Sequence, residues 1–173
     1  SRFNDSEQCN GPCVFTYDSD QIAALEHVYL NLSNAFNIAS VNMSIGGGSS
    51  TTPCDNDPLK SIIDNLRSEN IATVIAAGNN GFTNALSFPA CISTAVSVGA
   101  VTKSDNVANF SNSSQYLDLL APGVDIYSSR PGNNYASLEG TSMAAPHVAG
   151  AWAPMKQIFP DASVGEILTN LQN

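Results

Sequence analysis

Basic side chains are scarce in this chain of 173 residues, which has 6 Lys and Arg against 15 Asp and Glu and a formal net charge of −9. Nucleic-acid binding depends on clustered Lys and Arg, so this balance argues against a nucleic-acid partner and equally against an anionic membrane surface. No apolar run reaches about 18 residues, so no membrane span is predicted. The first residues are polar and lack the apolar core of a signal peptide, so we expect any secretion signal to be encoded upstream.

Cysteine and histidine are also few. The cysteines are Cys9, Cys13, Cys54 and Cys91, and the histidines are His27 and His147. The cysteine spacing contains no pair of CxxC motifs, so a structural zinc site is not predicted. An even number of cysteines in an acidic chain rich in Ser and Asn indicates two disulfides in a secreted or extracytoplasmic protein. Cys9 and Cys13 flank a Gly-Pro turn, which favours a small local loop and leaves Cys54 to pair with Cys91. Other pairings and free thiols stay open at this point.

Helix-like and strand-like segments alternate along the chain, which indicates an α/β fold with a mostly parallel sheet and helices on both faces. No repeat or linker divides the chain, so residues 1–173 are predicted to form a single domain. Apolar periodicity and capping residues predict helices over 19–36, with Asp18 or Ser19 as N-cap, over 57–69, and from near Ser142 and Ser163 onward.

Continuous apolar runs over 71–77 and 95–101 predict strands that are buried on both faces. The remaining predicted strands are 39–45, 118–121 and a hairpin formed by 125–129 and 135–138. Loops at the carboxyl ends of parallel strands carry the active sites of such sheets. Two of the loops predicted at these ends are rich in glycine, so we look for chemistry there.

The strongest chemical signal is the stretch 140–150, which reads Gly-Thr-Ser-Met-Ala-Ala-Pro-His-Val-Ala-Gly. A glycine shortly before a serine at a helix start allows a sharp turn that exposes the Ser142 hydroxyl. The unpaired N–H groups and the positive dipole end of the helix N-terminus then favour an oxyanion beside Ser142. From the spacing alone, Ser142 is equally well interpreted as a helix N-cap. Ala144 stands where the second glycine of a G-x-S-x-G elbow should be, so that motif is excluded.

The same stretch resembles the serine motif of the subtilisin-like serine proteases (subtilases, peptidase S8) at nearly every position. Further segments resemble family landmarks in the expected order, from residue 19 onward: 76–79 (Ala-Ala-Gly-Asn), 88–90 (Phe-Pro-Ala), 98–101 (Val-Gly-Ala-Val), 109–111 (Asn-Phe-Ser) and 120–124 (Leu-Ala-Pro-Gly-Val). The resemblance implies the C-terminal part of a catalytic domain, a partial three-layer fold without the first strands of the sheet. It implies a serine endopeptidase that forms an acyl-enzyme on Ser142, with Asn79 as an oxyanion donor.

Residues 41–47 resemble the strand on which this family pairs an extended peptide substrate through its backbone. The resemblance implies an S1 pocket with Ser44, Ile45 and Gly46 as one wall, Ala76, Ala77 and Gly78 as the other, and Ser87 near the base. None of these residues is charged, so the pocket should accept uncharged, apolar P1 side chains. Cys54 would lie beyond one wall and Cys91 beside the other, so a Cys54–Cys91 disulfide would brace the pocket.

The family's triad aspartate and histidine motifs, Asp-Thr/Ser-Gly and His-Gly-Thr, do not occur in the sequence. His27 lies in a predicted helix, and His147 occupies the place of a structural histidine in the family, so neither is assigned as the general base. The missing N-terminal part of the domain is therefore the expected partner that supplies both residues, and this chain alone is predicted to be essentially inactive. A non-catalytic relative that binds peptides in the same groove is the alternative.

Three further expectations concern details. No cofactor is required for the chemistry, whereas a structural calcium ion is common in the family and the surplus carboxylates can supply oxygen ligands, although none is assigned. Pro154 departs from the small and aliphatic residues usual in the serine helix and predicts a kink or an early end there. Asn42 begins a glycosylation sequon, but its position in a predicted buried strand excludes a glycan.

Overall fold

The fold is taken from a computed structural model that describes residues 2–4 and 13–173, with side chains from residue 16 onward. The strands are β1 Arg2–Asn4, β2 Cys13–Phe15, β3 Ser40–Met43, β4 Gly47–Ser50, β5 Ala72–Ala76, β6 Leu86–Phe88, β7 Val96–Val101, β8 Leu119–Pro122, β9 Ile126–Arg130 and β10 Asn134–Leu138. The helices are α1 Asp18–His27, a π-helical segment Val28–Leu32, α2 Leu59–Ser68, α3 Thr141–Ile158 and α4 Val164–Gln172. The predicted Cys9–Cys13 pairing depends on Cys9, which lies outside the described residues.

The central sheet has the order β3-β5-β7-β8, and all of its neighbouring strands run parallel. Every residue of β5 and β7 is buried, as their continuous apolar sequences predict. The pairs β4–β6 and β9–β10 are antiparallel and lie outside this sheet. The α/β class, the parallel sheet and the hairpin are therefore confirmed.

Helices cover both faces of the sheet because alternate residues of β5 point in opposite directions. Val74 and its even-numbered neighbours pack in one apolar cluster with α3 and α4, including the fully buried Trp152. Ile75 packs in a second cluster with α2, where Leu59 and Ile63 are completely buried. The resulting order of layers is helix, sheet, helix, as the resemblance implies.

Strand β3 forms one edge of the central sheet, since β5 is its sole hydrogen-bonded neighbour among the described strands. Asn42 on β3 is exposed, and its side-chain amide donates to the Ser44 hydroxyl at 3.0 Å. The expectation that Asn42 is buried is therefore wrong for the described chain. A strand at a sheet edge leaves one side uncovered, and the local sequence does not reveal which strand takes that position.

Several helix ends differ from the sequence expectations. The N-cap of α1 is Tyr17 rather than Asp18 or Ser19, and the helical segment ends at Leu32, short of residue 36. Ser163 caps α4 as predicted, because its hydroxyl accepts from the Glu166 backbone N–H at 3.2 Å while the Glu166 carboxylate accepts from the Ser163 backbone N–H at 2.8 Å.

Helix α3 continues through Pro154 to Ile158, so the expected early end at Pro154 is wrong. A proline inside a helix leaves the carbonyl four residues earlier without its usual donor. That carbonyl belongs to Gly150, and both Gly150 and Pro154 are exposed, so water can satisfy it. Within the described part of the chain, no helix combines the length and the apolar character that crossing a membrane requires.

Candidate active site

Ser142 is the second residue of α3 and is half-buried. The N-cap of the helix is Gly140, whose φ of 148° lies in a region that favours glycine. Ser142 is therefore not the N-cap, and the interpretation of this serine as a mere cap is wrong. At the second position of a helix, the backbone N–H of Ser142 has no acceptor within the helix and is available to a ligand.

Two reciprocal hydrogen bonds join Ser142 to the residue that follows β3. The Ser142 hydroxyl donates to the backbone carbonyl of Ser44 at 3.3 Å, and the Ser44 hydroxyl donates to the backbone carbonyl of Ser142 at 2.8 Å. The start of the serine helix is thereby held against the carboxyl end of an edge strand.

Asn79 lies two residues beyond the buried segment 71–77, and its side-chain oxygen faces Thr141. Its Oδ1 accepts from the Thr141 backbone N–H at 2.8 Å and from the Thr141 hydroxyl at 2.9 Å. Two donors on one side of the amide orient it, so the Nδ2 group points away from Thr141. A Cβ added to Gly140 would lie 3.3 Å from Asn79 Nδ2 and 3.7 Å from the Ser142 backbone nitrogen. The Asn79 amide group and the Ser142 backbone nitrogen therefore both lie close to Gly140.

A cleft of about 850 Å³ opens between these elements. Eight of the nine residues predicted for the catalytic and substrate sites line it, namely Ser44, Ile45, Gly46, Ala76, Gly78, Asn79, Ser87 and Ser142. The ninth, Ala77, is fully buried behind the wall and packs against Leu86 and Cys91. Among the described residues that line the cleft, Asp18 is the one charged side chain.

Asn112 lies behind the cleft and connects its parts, a role that sequence reasoning missed. The side chain is fully buried, and its Oδ1 accepts from the backbone N–H groups of Asn80 and Phe82 at 2.9 and 3.1 Å. Its Nδ2 donates to the Ala77 carbonyl at 3.2 Å and to the Ser87 hydroxyl at 3.1 Å. The segment after Asn79 is thus tied to the base of the cleft. The position of Asn112 directly after the 109–111 landmark is the signal that points to it in the sequence.

Gly78 is required by the same arrangement. Its φ is 106°, and a Cβ there would lie 2.1 Å from the Ser87 hydroxyl oxygen and 2.3 Å from Asn112 Nδ2. No side chain fits at such distances, so the glycine permits both the turn into Asn79 and the close approach of the pocket base.

Comparison with known proteins agrees with this geometry. The sequence profile of the subtilase family, peptidase S8, matches residues 14–173. The chain belongs to the subtilase family. It is 40% identical over 136 residues to subtilisin DY of Bacillus licheniformis, an alignment that covers 77% of this chain and 48% of that protein. It is 38% identical over 140 residues to subtilisin E of Bacillus subtilis strain 168, covering 79% of this chain and 35% of that protein.

Solved structures show the same relationship for this subtilase chain. A cold-adapted subtilisin-like serine proteinase superposes with a TM-score of 0.76 at 32% identity, covering 90% of this chain and 54% of that one. A structure of proteases from Pseudoalteromonas arctica PAMC 21717 superposes with a TM-score of 0.67 at 33% identity, covering 76% and 42%. The subtilase chain therefore has a subtilisin-like fold, and it spans about half the length, or less, of these relatives.

The predicted disulfide of the subtilase chain is confirmed. Cys54 and Cys91 are bonded with a Cα–Cα distance of 5.4 Å, and the Cys54 backbone N–H donates to the Cys91 carbonyl at 3.0 Å. Cys54 follows β4 and Cys91 follows β6, and these strands pair antiparallel beside the cleft. The bond thus joins the segments that leave both strands.

Neither histidine of the subtilase chain lines the cleft. Both are exposed, and a ring nitrogen of His147 lies 2.8 Å from the Met143 carbonyl one helical turn earlier. Within the described residues, the Ser142 hydroxyl has the Ser44 carbonyl as its hydrogen-bond partner and contacts no histidine or carboxylate.

The acidic side chains bear on the expected structural calcium ion. Among the described residues, no group of three or more His, Cys, Asp or Glu side chains is placed to hold a metal ion.

Proposed function

We propose that the protein carrying this chain is a serine endopeptidase that hydrolyses peptide bonds through an acyl-enzyme on Ser142. The position of the Asn79 amide, held by Thr141 close to Gly140 and to the backbone nitrogen of Ser142, is the observation that carries the proposal. In this proposal, both groups donate to the charge that develops on a carbonyl oxygen under attack by the Ser142 hydroxyl. Family membership supports the same chemistry.

In the proposed reaction, Ser142 Oγ attacks the scissile carbonyl carbon and its proton passes to a histidine outside this chain. The carbonyl oxygen becomes an oxyanion that accepts hydrogen bonds from Asn79 Nδ2 and the Ser142 N–H. When the C–N bond breaks, the amine leaves with the transferred proton, and water then hydrolyses the acyl-enzyme. The Ser142 hydroxyl, which donates to the Ser44 carbonyl here, must turn toward that histidine to react.

The substrate of this endopeptidase is an extended peptide or protein segment. Its backbone pairs with residues 44–46 beside the cleft, and its P1 side chain enters the space between Gly46 and Gly78, above Ser87. Gly46 is exposed and Ser44 and Ile45 are half-buried, which supports the pairing. The disulfide supports a secreted or extracytoplasmic location, since such bonds persist in oxidising compartments.

The partner of this chain is the remaining part of the domain, which supplies the aspartate, the histidine and the first strands of the sheet. The open edge of β3 and the coverage of about half of the relatives support this assignment. Without the histidine the Ser142 hydroxyl keeps its proton and attacks poorly, so the chain alone is essentially inactive.

Labelling by a fluorophosphonate tests the proposal, because this reagent phosphonylates an activated serine. In the full-length gene product, we expect the label on Ser142, and the Ser142→Ala variant as matched control stays unlabelled. A full-length protein that folds but does not label at Ser142 contradicts the proposal and favours the alternative, a non-catalytic peptide-binding relative. Expressed alone, residues 1–173 should not label.

A further inference from the structure

Two tyrosines are stacked on one face of the β9–β10 hairpin. The ring centroids of Tyr127 and Tyr135 lie 5.8 Å apart, with an angle of 20° between the ring planes. Tyr127 lies opposite Ser137 and Tyr135 lies opposite Ser129, so the two tyrosines share a face of the hairpin as a diagonal pair across the strands. Because the residue opposite each tyrosine is a small serine, no bulky side chain separates the two rings.

Both rings of this tyrosine pair are open to solvent. Tyr127 is 71% exposed and Tyr135 is 63% exposed, whereas Tyr29 and Tyr116 are half-buried. Tyr17, which precedes α1, is the other exposed tyrosine among the described residues, at 53%. Neither member of the pair belongs to a buried apolar cluster of the described chain. A reagent in solution therefore reaches both phenols without any opening of the fold.

The proximity of two exposed phenols decides which oxidation product they form. Removal of one electron and one proton from a tyrosine gives a tyrosyl radical, and two such radicals couple through their rings. Radicals on separate molecules must first collide, but Tyr127 and Tyr135 already lie side by side. Groups held together in this way react at effective concentrations far above that of a dilute protein. Coupling within one chain is therefore favoured over coupling between chains.

We propose that Tyr127 and Tyr135 form an oxidative cross-linking site, at which a haem peroxidase with hydrogen peroxide joins the two rings as dityrosine. Each phenol gives up one hydrogen atom, and hydrogen peroxide takes both to become two molecules of water. A C–C bond then forms between the ring carbons next to the two hydroxyls, and the hydrogen on each of these carbons moves to its phenol oxygen. The chain loses two hydrogen atoms in total. This step does not depend on the endopeptidase activity.

The cross-link acts on the segment that leads into the candidate active site. It joins β9 to β10 covalently and closes the turn between them. Strand β10 ends at Leu138, and the N-cap of α3, Gly140, follows shortly after it. Oxidation of the pair thus fixes the hairpin in front of the serine helix without altering Ser142.

Peroxidase treatment of the full-length gene product in dilute solution tests this site. Trypsin cleaves after Lys103 and Lys156 but not after Arg130, which precedes Pro131, so one peptide, 104–156, contains both tyrosines. Mass spectrometry should show the loss of two hydrogen atoms from this peptide, together with the blue fluorescence of dityrosine. The yield per molecule should stay constant when the protein is diluted, because the coupling is intramolecular.

Phenylalanine variants identify the rings that react. Tyr127→Phe and Tyr135→Phe each remove one phenol and keep the stacked ring, so either variant should abolish the cross-link without disturbing the hairpin. Tyr17→Phe removes an exposed tyrosine outside the hairpin, and Tyr116→Phe removes the other tyrosine of peptide 104–156. These two matched controls should leave the yield unchanged. All proteins carry Ser142→Ala, so that the proposed protease does not digest itself during the treatment.

The outcomes are distinct. A linked peptide that is lost in both hairpin variants and kept in both controls supports the site. A linked peptide that persists in Tyr135→Phe, dimers that replace it and vanish on dilution, or the absence of any loss of two hydrogen atoms each overturns it. None of these results bears on the endopeptidase proposal, which the fluorophosphonate label on Ser142 tests separately.

Discussion

Thr141 donates both its backbone N–H and its side-chain hydroxyl to the Oδ1 atom of Asn79, at 2.8 and 2.9 Å. The same hydroxyl oxygen accepts from the Gly78 backbone N–H at 3.1 Å. One completely buried side chain thus orients the amide of Asn79 and holds the turn that leads into it. Thr141 touches no reacting atom in the proposed mechanism and is a positioning residue.

Replacing Thr141 by valine keeps the shape of the side chain and removes its hydroxyl. Asn79 Oδ1 then loses one of its two donors, and the Gly78 N–H loses its acceptor. We expect kcat to fall roughly three- to tenfold or more with a smaller change in KM, because the oxyanion donor is less well oriented. Thr141→Ser keeps the hydroxyl and should restore most of kcat. Equal losses in both variants would mean that packing, rather than the hydroxyl, matters here.

Removing the Asn79 amide itself should have a larger effect. Loss of one oxyanion donor typically lowers kcat by about 10²–10³-fold. We therefore expect Asn79→Ala to lower kcat by that factor with little change in KM. Steady-state kinetics of the full-length protein, with a peptide that the wild type cleaves, measures both constants. If KM rises and kcat stays constant, Asn79 binds the ground state and the proposed oxyanion role fails.

Sequence patterns located the candidate site residues whose placement depends on local chain geometry. Ser142 and Asn79 follow from short motifs at the start of a helix and after a buried strand, and the apolar runs predict β5 and β7 correctly. The role of Asn112 was not predicted, because its partners Ala77 and Ser87 lie 35 and 25 residues away in the sequence. Its burial therefore arises from tertiary packing alone.

Edge position is a second property that the local sequence does not encode. Asn42 lies between Val41 and the buried Met43 in a sequence that is typical of an inner strand. Its exposure depends on which strand of the sheet has a missing neighbour, and that is decided by topology. The continuation of α3 through Pro154 has a similar origin, since it depends on the exposure of Gly150.

The capping box of α4 predicts a pH dependence of stability. The Ser163 hydroxyl and backbone N–H both donate to the Glu166 carboxylate, which lowers the pKa of Glu166 below its ordinary value of 4.5. A carboxylate with a lowered pKa contributes stability that is present above the unfolded pKa and is lost as the pH falls through the folded pKa.

Glu166→Gln removes this titration. Urea unfolding of the full-length protein between pH 6 and pH 3, roughly the window around the ordinary Glu pKa, should show a smaller loss of stability in the variant than in the wild type. Glu26→Gln, an exposed residue of α1, is the control for removing an acidic charge. Identical pH profiles for the wild type and Glu166→Gln would contradict the capping contribution.

Removal of the Cys54–Cys91 disulfide should lower both the stability of the protein and its affinity for substrate. It closes a loop with a sequence separation of 37 residues, and such a cross-link typically contributes about 2–4 kcal/mol to the free energy of unfolding. Cys54→Ser combined with Cys91→Ser should lower the melting temperature. It should also raise KM for peptide substrates, because β4 and β6 beside the cleft lose the bond between the segments that leave them.

The remaining cysteines provide the control for this experiment. The double variant keeps Cys9 and Cys13, so any further effect of dithiothreitol on it comes from cysteines other than Cys54 and Cys91. If the disulfide braces the cleft, wild-type protein that is unfolded and then refolded in dithiothreitol should have the KM of the double variant. A double variant that melts at a lower temperature but keeps the wild-type KM would show that the bond stabilises the fold without shaping the cleft.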